Sequence, residues 1–382
     1  FSFMVWVILG PLGVLIAADL HLSPGDKGLM VATPILAGAF LRILNGVLVD
    51  RFKAKRVGIV MQCIVIGGLL GFWFIGISNF AQILALGIIL GIAGSSFAIA
   101  LPLASYWYPP EHQGTALGVA GAGNSGTVLA SLFVPAIAIG LGWRNALGLA
   151  AIPLAVVLVA FVLLAKDSPR SPPPKAAKDY FRVLAAGDAW WLMFFYSVTF
   201  GGFVGLSSFL PIYFHDQYGL SAIQAGYFTA ACVFAGSFLR PVGGWIADQI
   251  GGLRALSCVY AVAAVALLLA AMNLPQVQMA LVVFLIGMGA LGMGNGAVFQ
   301  LVPQRFGREV GVMTGLVGMT GGVGGFYLAV SLGYTKQFTG NYSLGYTGFA
   351  LLALIALASI ASFGEVWRKS WASQAGLVRA RV

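Results

Sequence analysis

The segment Phe40–Asp50 reads FLRILNGVLVD, and a second segment, Phe238–Asp248, reads FLRPVGGWIAD. Each copy holds an arginine, Arg42 or Arg240, inside a long apolar run and eight residues before the aspartate that ends it. At 1.5 Å per helical residue, the arginine lies about 12 Å inside the run, near the middle of a hydrocarbon layer about 30 Å thick. A charge at that depth costs several kcal/mol unless it faces a polar cavity. The alternative is an arginine that snorkels to the headgroups or pairs with an acid.

The composition is that of a membrane protein. The 382 residues are 60% hydrophobic and 8% charged, whereas a soluble domain carries about 25% charged residues. We therefore predict an all-α membrane protein. Its twelve transmembrane helices are predicted at 1–19, 26–50, 56–77, 80–105, 112–139, 143–165, 188–213, 221–247, 254–272, 276–301, 308–333 and 342–366.

The net charge of +10 reflects orientation in the membrane. Most of the 21 lysines and arginines fall in one alternating set of loops, while Lys27, Arg144 and Lys336 fall in the other set. By the positive-inside rule the first set is cytoplasmic. We expect a multi-pass protein of the inner (plasma) membrane with both termini in the cytoplasm. The basic charge then indicates contact with the lipid bilayer and no nucleic-acid partner.

The chain is predicted to divide into two pseudo-symmetric halves. Residues 166–187 are rich in proline and charge, which cannot continue a membrane helix. They form a cytoplasmic linker between six-helix halves at 1–165 and 188–366, and a cytoplasmic tail follows at 367–382. The arginine segments align at an offset of 198, and an ordered series of glycines aligns at 197, which indicates an internal repeat. Parallel six-helix repeats are the architecture of major facilitator carriers.

The loop after the second span carries a motif of its own. Its sequence GVLVDRFKAKR, at Gly46–Arg56, resembles the major facilitator signature, in which an aspartate and basic residues latch the cytoplasmic gate. The resemblance implies that Asp50, Arg51 and, in the second copy, Asp248 act as latch residues. Lys53 stands where a glycine is usual. The alternative is that these are ordinary solvated loop charges.

Glycines form stripes in the fifth and eleventh spans. In the fifth span, Gly121 follows two glycines at helical spacing, and the eleventh span repeats the pattern through Gly322. Such stripes let helix backbones approach closely, and packing alone is their usual role. Asn124 adds an amide within the same apolar segment. That amide either bonds to a neighbouring helix or offers its NH₂ group to a ligand.

The glycine-rich stretches GVAGAGNSG at Gly118–Gly126 and GMTGGVGGFYL at Gly318–Leu328, together with the two arginines, identify a resemblance to a family. The chain is similar to the nitrate/nitrite porters of the major facilitator superfamily. The resemblance implies that the arginines clamp the anion, that Asn124 adds a hydrogen bond, and that the glycine stripes at Gly121 and Gly322 line the site. It also implies that three aromatic residues enclose the anion: Phe97, Tyr196 and Phe200. Without the family, Tyr196 and Phe200 at i and i+4 read as helix packing.

The acidic residues restrict the chemistry. All eleven acids and all three histidines lie at predicted span ends or in loops. No carboxylate is then placed to neutralise the two arginines at mid-membrane, so the compensating charge should arrive as substrate. Planar guanidinium donors and aromatic rings suit a flat monovalent anion. We find no nucleophile with a base and no metal-ligand cluster, and we expect neither enzymatic activity, a metal nor a cofactor.

These features predict a secondary transporter of the small inorganic anions nitrate and nitrite, functional as a monomer. Nitrate/nitrite exchange is predicted because two guanidiniums about 8 Å apart in a closed, empty site repel by roughly 2 kcal/mol at an effective dielectric of ~20. A bound anion reverses the sign of that energy, so only the loaded carrier would change state. Proton-coupled nitrate symport, and export of other organic anions or drugs, remain as alternatives.

Overall fold

The computed structural model describes residues 1–105, 107, 121–167, 182–306 and 309–374, and its elements there are helical. The N-terminal part of the chain contains nine helices: α1 (Ser2–Trp6), α2 (Leu9–Asp19), α3 (Pro24–Phe52), α4 (Ala54–Ile75), α5 (Phe80–Gly94), α6 (Phe97–Ser105), α7 (Gly126–Leu141), α8 (Trp143–Leu149) and α9 (Ala151–Leu164), counted over the described residues. The C-terminal part contains α10 (Gly187–Tyr218), α11 (Ala222–Ile250), α12 (Gly252–Ala271), α13 (Val277–Arg305), α14 (Val310–Thr339) and α15 (Ser343–Gln374).

Among the described residues, twelve helical segments are long and apolar enough to cross a membrane, which confirms the predicted number. Several helices run past the predicted limits. For example, α10 continues to Tyr218 and α15 to Gln374. The apolar run marks only the part that crosses the hydrocarbon, whereas the backbone hydrogen bonds continue into the polar zone. The predicted stretch 112–120 of the fifth span lies outside the described residues.

The fifth span differs from a regular helix where the structure describes it. Residues Ala122–Ser125 form a 3₁₀ turn, and only from Gly126 does the chain continue as α7. Glycine lowers helix stability by about 1 kcal/mol relative to alanine, and this stretch is rich in it. The 3₁₀ turn winds the backbone more tightly than an α-helix does. It places Asn124 within an irregular segment.

Helix starts follow local sequence rules. At the start of α3, the Ser23 hydroxyl accepts a hydrogen bond from the Asp26 N–H at 3.2 Å. In return, the Ser23 N–H donates to the Asp26 carboxylate at 3.2 Å, which completes a capping box. Pro24 occupies the first helical position, where its missing N–H costs nothing.

Three pairs of the described helices are each joined by a single residue in the same unusual backbone conformation. These residues are Lys53 between α3 and α4 (φ 69°, ψ 150°), Gly142 between α7 and α8 (φ 86°, ψ 146°) and Gly251 between α11 and α12 (φ 96°, ψ 140°). Side chains other than hydrogen are strongly disfavoured in this region. Lys53 and Gly251 are related by the repeat offset of 198, so the conformation explains why a glycine is usual at Lys53.

The packing separates the chain into two compact units. The first comprises Phe1–Lys175 with Ser207–Ala230, and the second comprises Ala176–Leu206 with Ala231–Val382. Helices α10 and α11 therefore each contribute residues to both units. The predicted division into 1–165, 166–187, 188–366 and 367–382 stays a prediction.

Glycines bring the helices of the second unit close together. A Cβ at Gly292 would meet the backbone of Gly236, and a Cβ at Gly296 would meet the carbonyl of Arg240. Helices α11 and α13 thus touch through their backbones along the stretch that carries Arg240. In the first unit, a Cβ at Gly91 would meet Ala37, so α3 and α5 approach in the same manner next to Arg42.

Candidate functional site

Arg42 is buried within the first unit. Its residue is 3% exposed, so its charge does not reach the end of α3 by snorkelling. Both Nε and Nη2 donate to the carbonyl oxygen of Gly94 at 3.4 Å. The guanidinium carbon lies 5.3 Å from the ring centroid of Trp6 and 5.9 Å from that of Phe97. One carbonyl and two aromatic faces therefore fix the position of this cation, each ring contributing up to about 2 kcal/mol when desolvated.

Trp6 is an important neighbour of Arg42 that the sequence motifs miss. Its indole is 1% exposed, and its Nε1–H donates to the Pro34 carbonyl at 2.8 Å. A Cβ at Gly38 would lie 3.0 Å from Nε1, and a Cβ at Gly94 would overlap the ring. The two glycines create the space that the indole fills between α3 and α5. A tryptophan near the start of an apolar segment resembles an interfacial anchor in sequence, so nothing in the sequence alone marks this role.

Asn45 supports the same region one helical turn after Arg42. It is fully buried, and its Nδ2 donates to the Ser95 hydroxyl at 2.6 Å. The hydroxyl in turn donates to the Ile92 carbonyl at 2.6 Å. This buried bridge sets the register of α3 against α5 beside Gly94, whose carbonyl is the acceptor for Arg42. In the sequence, the one sign of this role is that Asn45 lies in the segment Phe40–Asp50, which also carries Arg42.

Asn124 presents a buried amide in the 3₁₀ turn before α7. It is 2% exposed, and its Oδ1 has no hydrogen-bond partner among the residues described. Leaving such an atom unsatisfied costs about 1–3 kcal/mol. Because the amide group can rotate by 180°, either its oxygen or its NH₂ group can occupy this position, and only NH₂ can donate to an anion. Gly121, directly before the turn, is buried. The preceding glycines of the stripe, Gly114 and Gly118, lie outside the described residues.

In the first unit, the structure places Phe97 against Arg42 and places Asn124 next to α1, the helix that carries Trp6. Phe97 and Trp6 contact Arg42, and Phe3 lies 5.0 Å from the Trp6 ring and 6.3 Å from the Phe97 ring. A Cβ at Gly126 would lie 3.0 Å from the backbone nitrogen of Met4, so the start of α7 packs on α1. The turn carrying Asn124 therefore adjoins the helix carrying Trp6.

The second unit holds a comparable cluster around Arg240. The guanidinium carbon lies 5.5 Å from the ring centroid of Phe299. Phe299 in turn meets Tyr196 edge to face at 5.0 Å, and Tyr196 stacks on Phe200 at 5.1 Å with an interplanar angle of 5°. Phe299 thus links Arg240 to the predicted aromatic pair. It is one of 27 phenylalanines and carries no distinguishing sequence pattern.

The glycine stripe of α14 packs against the aromatic pair. A Cβ at Gly321 would lie 2.7 Å from Tyr196 Cδ1 and 2.9 Å from Phe200 Cδ1. Gly324 faces the Ser197 carbonyl in the same way. These two glycines therefore permit α14 to approach α10. The predicted site glycine, Gly322, lies between them along the helix and is also buried.

The described acidic side chains lie near helix ends or in connecting segments, apart from Glu365 further inside α15. Ion pairs join Lys27 to Asp216 at 2.7 Å, Arg144 to Asp19 at 2.8 Å, and Arg305 to Asp188 at 2.6 Å. Within the described ranges, no group of three or more His, Cys, Asp or Glu residues could hold a metal ion. Among the described residues outside α15, the charged side chains furthest from helix ends are thus the cations Arg42 and Arg240.

The predicted latch residues lie at the ends of α3 and α11. Asp50 is half-buried, Arg51 places its guanidinium carbon 5.5 Å from the Phe52 ring, and Asp248 is exposed. Close to them in the chain, the Lys55 backbone N–H at the start of α4 donates to the carboxylate of Asp167, which follows α9, at 2.9 Å. The latch role of these residues stays a prediction.

Comparison with known proteins gives a consistent result. The family profile described as Major Facilitator Superfamily matches residues 1–329. The chain is 33% identical to the "Nitrite extrusion protein" of Bacillus subtilis, covering 94% of this chain and 89% of that protein. It is 34% identical to the "Probable nitrate/nitrite transporter NarK2" of Mycobacterium tuberculosis, with 94% and 91% covered. It is 31% identical to the "Probable nitrate/nitrite antiporter NarK1" of Thermus thermophilus, with 93% and 86% covered.

Solved structures show the same fold at lower identity. The xylose transporter XylE from E. coli, in a partially occluded inward-open conformation, matches with a TM-score of 0.72 at 13% identity and 95% coverage of both chains. A bacterial homolog of the human lysosomal transporter Spinster matches with a TM-score of 0.70 at 19% identity, covering 99% of this chain and 96% of that one.

Proposed function

Since the chain belongs to the nitrate/nitrite porter family of the Major Facilitator Superfamily, we propose that it moves nitrate and nitrite across the membrane by alternating access. The observation that carries this proposal is Arg42, a cation 3% exposed in the interior of a membrane helix. A charge in that position is costly unless it has a function. Transport of an anion supplies one, and the relatives that share most of the chain are named for nitrate and nitrite.

The surroundings of the two arginines support a flat monovalent anion. Each guanidinium lies beside a phenylalanine ring, Phe97 for Arg42 and Phe299 for Arg240, at 5.9 and 5.5 Å respectively. In the first unit the Gly94 carbonyl also holds one edge of the guanidinium, which fixes its plane. A planar oxyanion accepts paired hydrogen bonds from a planar guanidinium, and it is weakly hydrated enough to lie against aromatic faces.

In this proposal each predicted site residue has a role. Arg42 and Arg240 bind the anion, and the Asn124 amide donates a further hydrogen bond. The rings of Phe97, Tyr196 and Phe200 exclude water. The small residues Gly121 and Gly322 leave room for the anion, and Asp50, Arg51 and Asp248 latch the gate.

A substitution series tests the role of the arginines. Arg42→Lys and Arg240→Lys keep the charge but replace the planar fork by a point ammonium. A charge-assisted hydrogen bond contributes about 1.5–3 kcal/mol, so each variant should lose at least about ten-fold in nitrate uptake by proteoliposomes. Arg144→Lys is the matched control, because Arg144 pairs with Asp19 at a helix end and should transport normally. Near-normal uptake by both site variants would remove the arginines from the proposal.

For coupling we propose nitrate/nitrite exchange. No acidic or histidine side chain of the described chain lies beside Arg42 or Arg240 along α3 or α11, where a proton could replace the anion as the compensating charge. The relative named an antiporter agrees with this mechanism, whereas others are named only as transporters. The alternative is proton-coupled symport.

The coupling experiment loads liposomes with nitrite, with nitrate, or with no permeant anion, each with and without an inward proton gradient. Exchange predicts rapid uptake of labelled nitrate only when a counter-anion is inside. Rapid uptake into anion-free liposomes driven by the proton gradient, with measurable proton entry, would establish symport instead. Placing nitrite on the inside alone also measures export, the direction for which the Bacillus relative is named.

The protein is a multi-pass membrane protein. We further propose that it resides in the inner membrane as a monomer, with both termini in the cytoplasm. Cysteine labelling from either side tests the orientation, using cysteines introduced at Lys336 and Lys369 on opposite predicted sides. Reaction of both positions with the same side-specific reagent would contradict it.

A further inference from the structure

A polar cleft lies between α12 and α15, away from the arginine clusters. Its volume is about 380 Å³, within the range of about 300–1,000 Å³ that is typical of small-ligand sites. Five polar residues line it together with apolar neighbours: Arg254, Ser257, Ser362, Glu365 and Arg368. Two arginines and one glutamate therefore line the same small space.

The charges in the cleft are available for a ligand. Arg254 and Glu365 are exposed, and neither forms an ion pair with another residue of the described chain. Arg368 is half-buried, and its Nε donates to the Gly364 carbonyl within its own helix at 3.3 Å. A ligand that carries one anionic and one cationic group would match the three side chains.

The cleft lies where two stripes of exposed residues end. On α12 the exposed residues recur at helical spacing from Arg254 through Cys258, Val262 and Val265 to Leu269. On α15 the corresponding exposed series runs from Leu351 and Ile355 through Ala358 to Ser362 and Glu365. In both helices the stripe is apolar along the span and becomes polar at the same end, because α12 begins where α15 finishes. The cleft is thus at the level of the lipid headgroups.

We propose that this cleft binds the headgroup of an ethanolamine phospholipid. The phosphodiester lies on Arg254 and Arg368, the primary ammonium lies on Glu365, and the acyl chains follow the two apolar stripes. Basic pockets between transmembrane helices are known to bind lipid phosphates. Glu365 supplies the selectivity, since phosphatidylglycerol has no ammonium and phosphatidylcholine has a methylated one that cannot donate a hydrogen bond.

Native mass spectrometry of the delipidated, detergent-solubilised full chain tests the proposal. The protein is titrated separately with phosphatidylethanolamine, phosphatidylglycerol and phosphatidylcholine of identical acyl chains. We expect each protein to bind one molecule of phosphatidylethanolamine in preference to the other two lipids. Arg254→Gln combined with Arg368→Gln should weaken its binding about ten-fold or more. Lys369→Gln, which removes an exposed charge of α15 outside the cleft, is the matched control and should bind like the unmodified protein.

Glu365→Gln is the more specific variant, because it should leave folding intact and change only headgroup preference. We expect the preference for phosphatidylethanolamine over phosphatidylglycerol to fall about five-fold. Equal binding of the three lipids by the unmodified protein, or an unchanged preference in Glu365→Gln, would overturn the proposal. Displacement of the lipid by inorganic phosphate alone would also overturn it, since the site would then bind phosphate without the ethanolamine group.

Discussion

Replacing Lys53 by glycine should stabilise the protein. Lys53 has φ 69° and ψ 150°, a region that costs about 1–3 kcal/mol for a residue with a side chain. Glycine removes that strain, but it also gives the unfolded chain more freedom, which offsets about 0.4–1 kcal/mol. The net gain should be about 1 kcal/mol. The backbone bonds of the turn, from Lys53 N–H to the Val49 carbonyl at 2.9 Å and from Val57 N–H to the Lys53 carbonyl at 3.3 Å, require no side chain.

Thermal unfolding in detergent, followed by tryptophan fluorescence, measures the effect. A gain of this size corresponds to a rise in Tm of about 2 °C for a large domain. Lys53→Ala is the essential control, because it removes the same positive charge from a loop crowded with Arg51, Lys55 and Arg56 but keeps the Cβ. It should leave Tm unchanged or lower.

The repeat provides the reverse experiment. Gly251 has φ 96° and ψ 140° at the equivalent turn, so Gly251→Ala should lower the free energy of unfolding by about 1–3 kcal/mol. Two results would refute the reasoning. The first is a rise in Tm for Lys53→Ala as large as that for Lys53→Gly, which would assign the gain to the charge. The second is an unchanged free energy of unfolding for Gly251→Ala, which would show that the turn tolerates a side chain.

Further predictions concern the arginine clusters. Trp6→Leu should raise the KM for nitrate by about ten-fold, because the cation loses a ring that contributes up to about 2 kcal/mol, whereas Trp6→Phe should retain most of the affinity. Gly94→Ala should abolish uptake and lower Tm, since the added methyl overlaps the Trp6 indole; normal uptake would contradict the packing around Arg42. Phe97→Ala and Phe200→Ala should weaken nitrate binding measured by calorimetry while membrane insertion remains normal. Unchanged affinity in these folded variants would identify both rings as packing residues.

The sequence predicts the spans well because hydropathy acts on every residue of a span. Burial in lipid requires each segment to be apolar and helical, and the twelve segments meet that requirement without any knowledge of their neighbours. The unusual residues of the repeat, Arg42 and Arg240, are also visible, since a charge in such a segment is rare. Even the turn at Lys53 is indicated by the glycine at its counterpart, Gly251.

Tertiary neighbours are what the sequence does not predict. Trp6 lies 36 residues from Arg42 along the chain, and their contact depends on the space left by Gly38 and Gly94. Glycines are too frequent, at 52 in the chain, for any one to indicate such a space. The same applies to Phe299, which differs from other phenylalanines only in the residues that surround it.

The one-residue turns also have a mechanical meaning. Only Lys53 separates α3 from α4, so the φ and ψ angles of this one residue set the angle between the two helices. The connection contains no further residues that could adjust. Helix α3 carries Arg42, and a change in its tilt should therefore change the orientation of α4 as well. Gly251 couples α11 and α12 in the same manner. We therefore expect each arginine to move together with its pair of helices during transport, and we expect a longer insertion at either connection to uncouple the two helices.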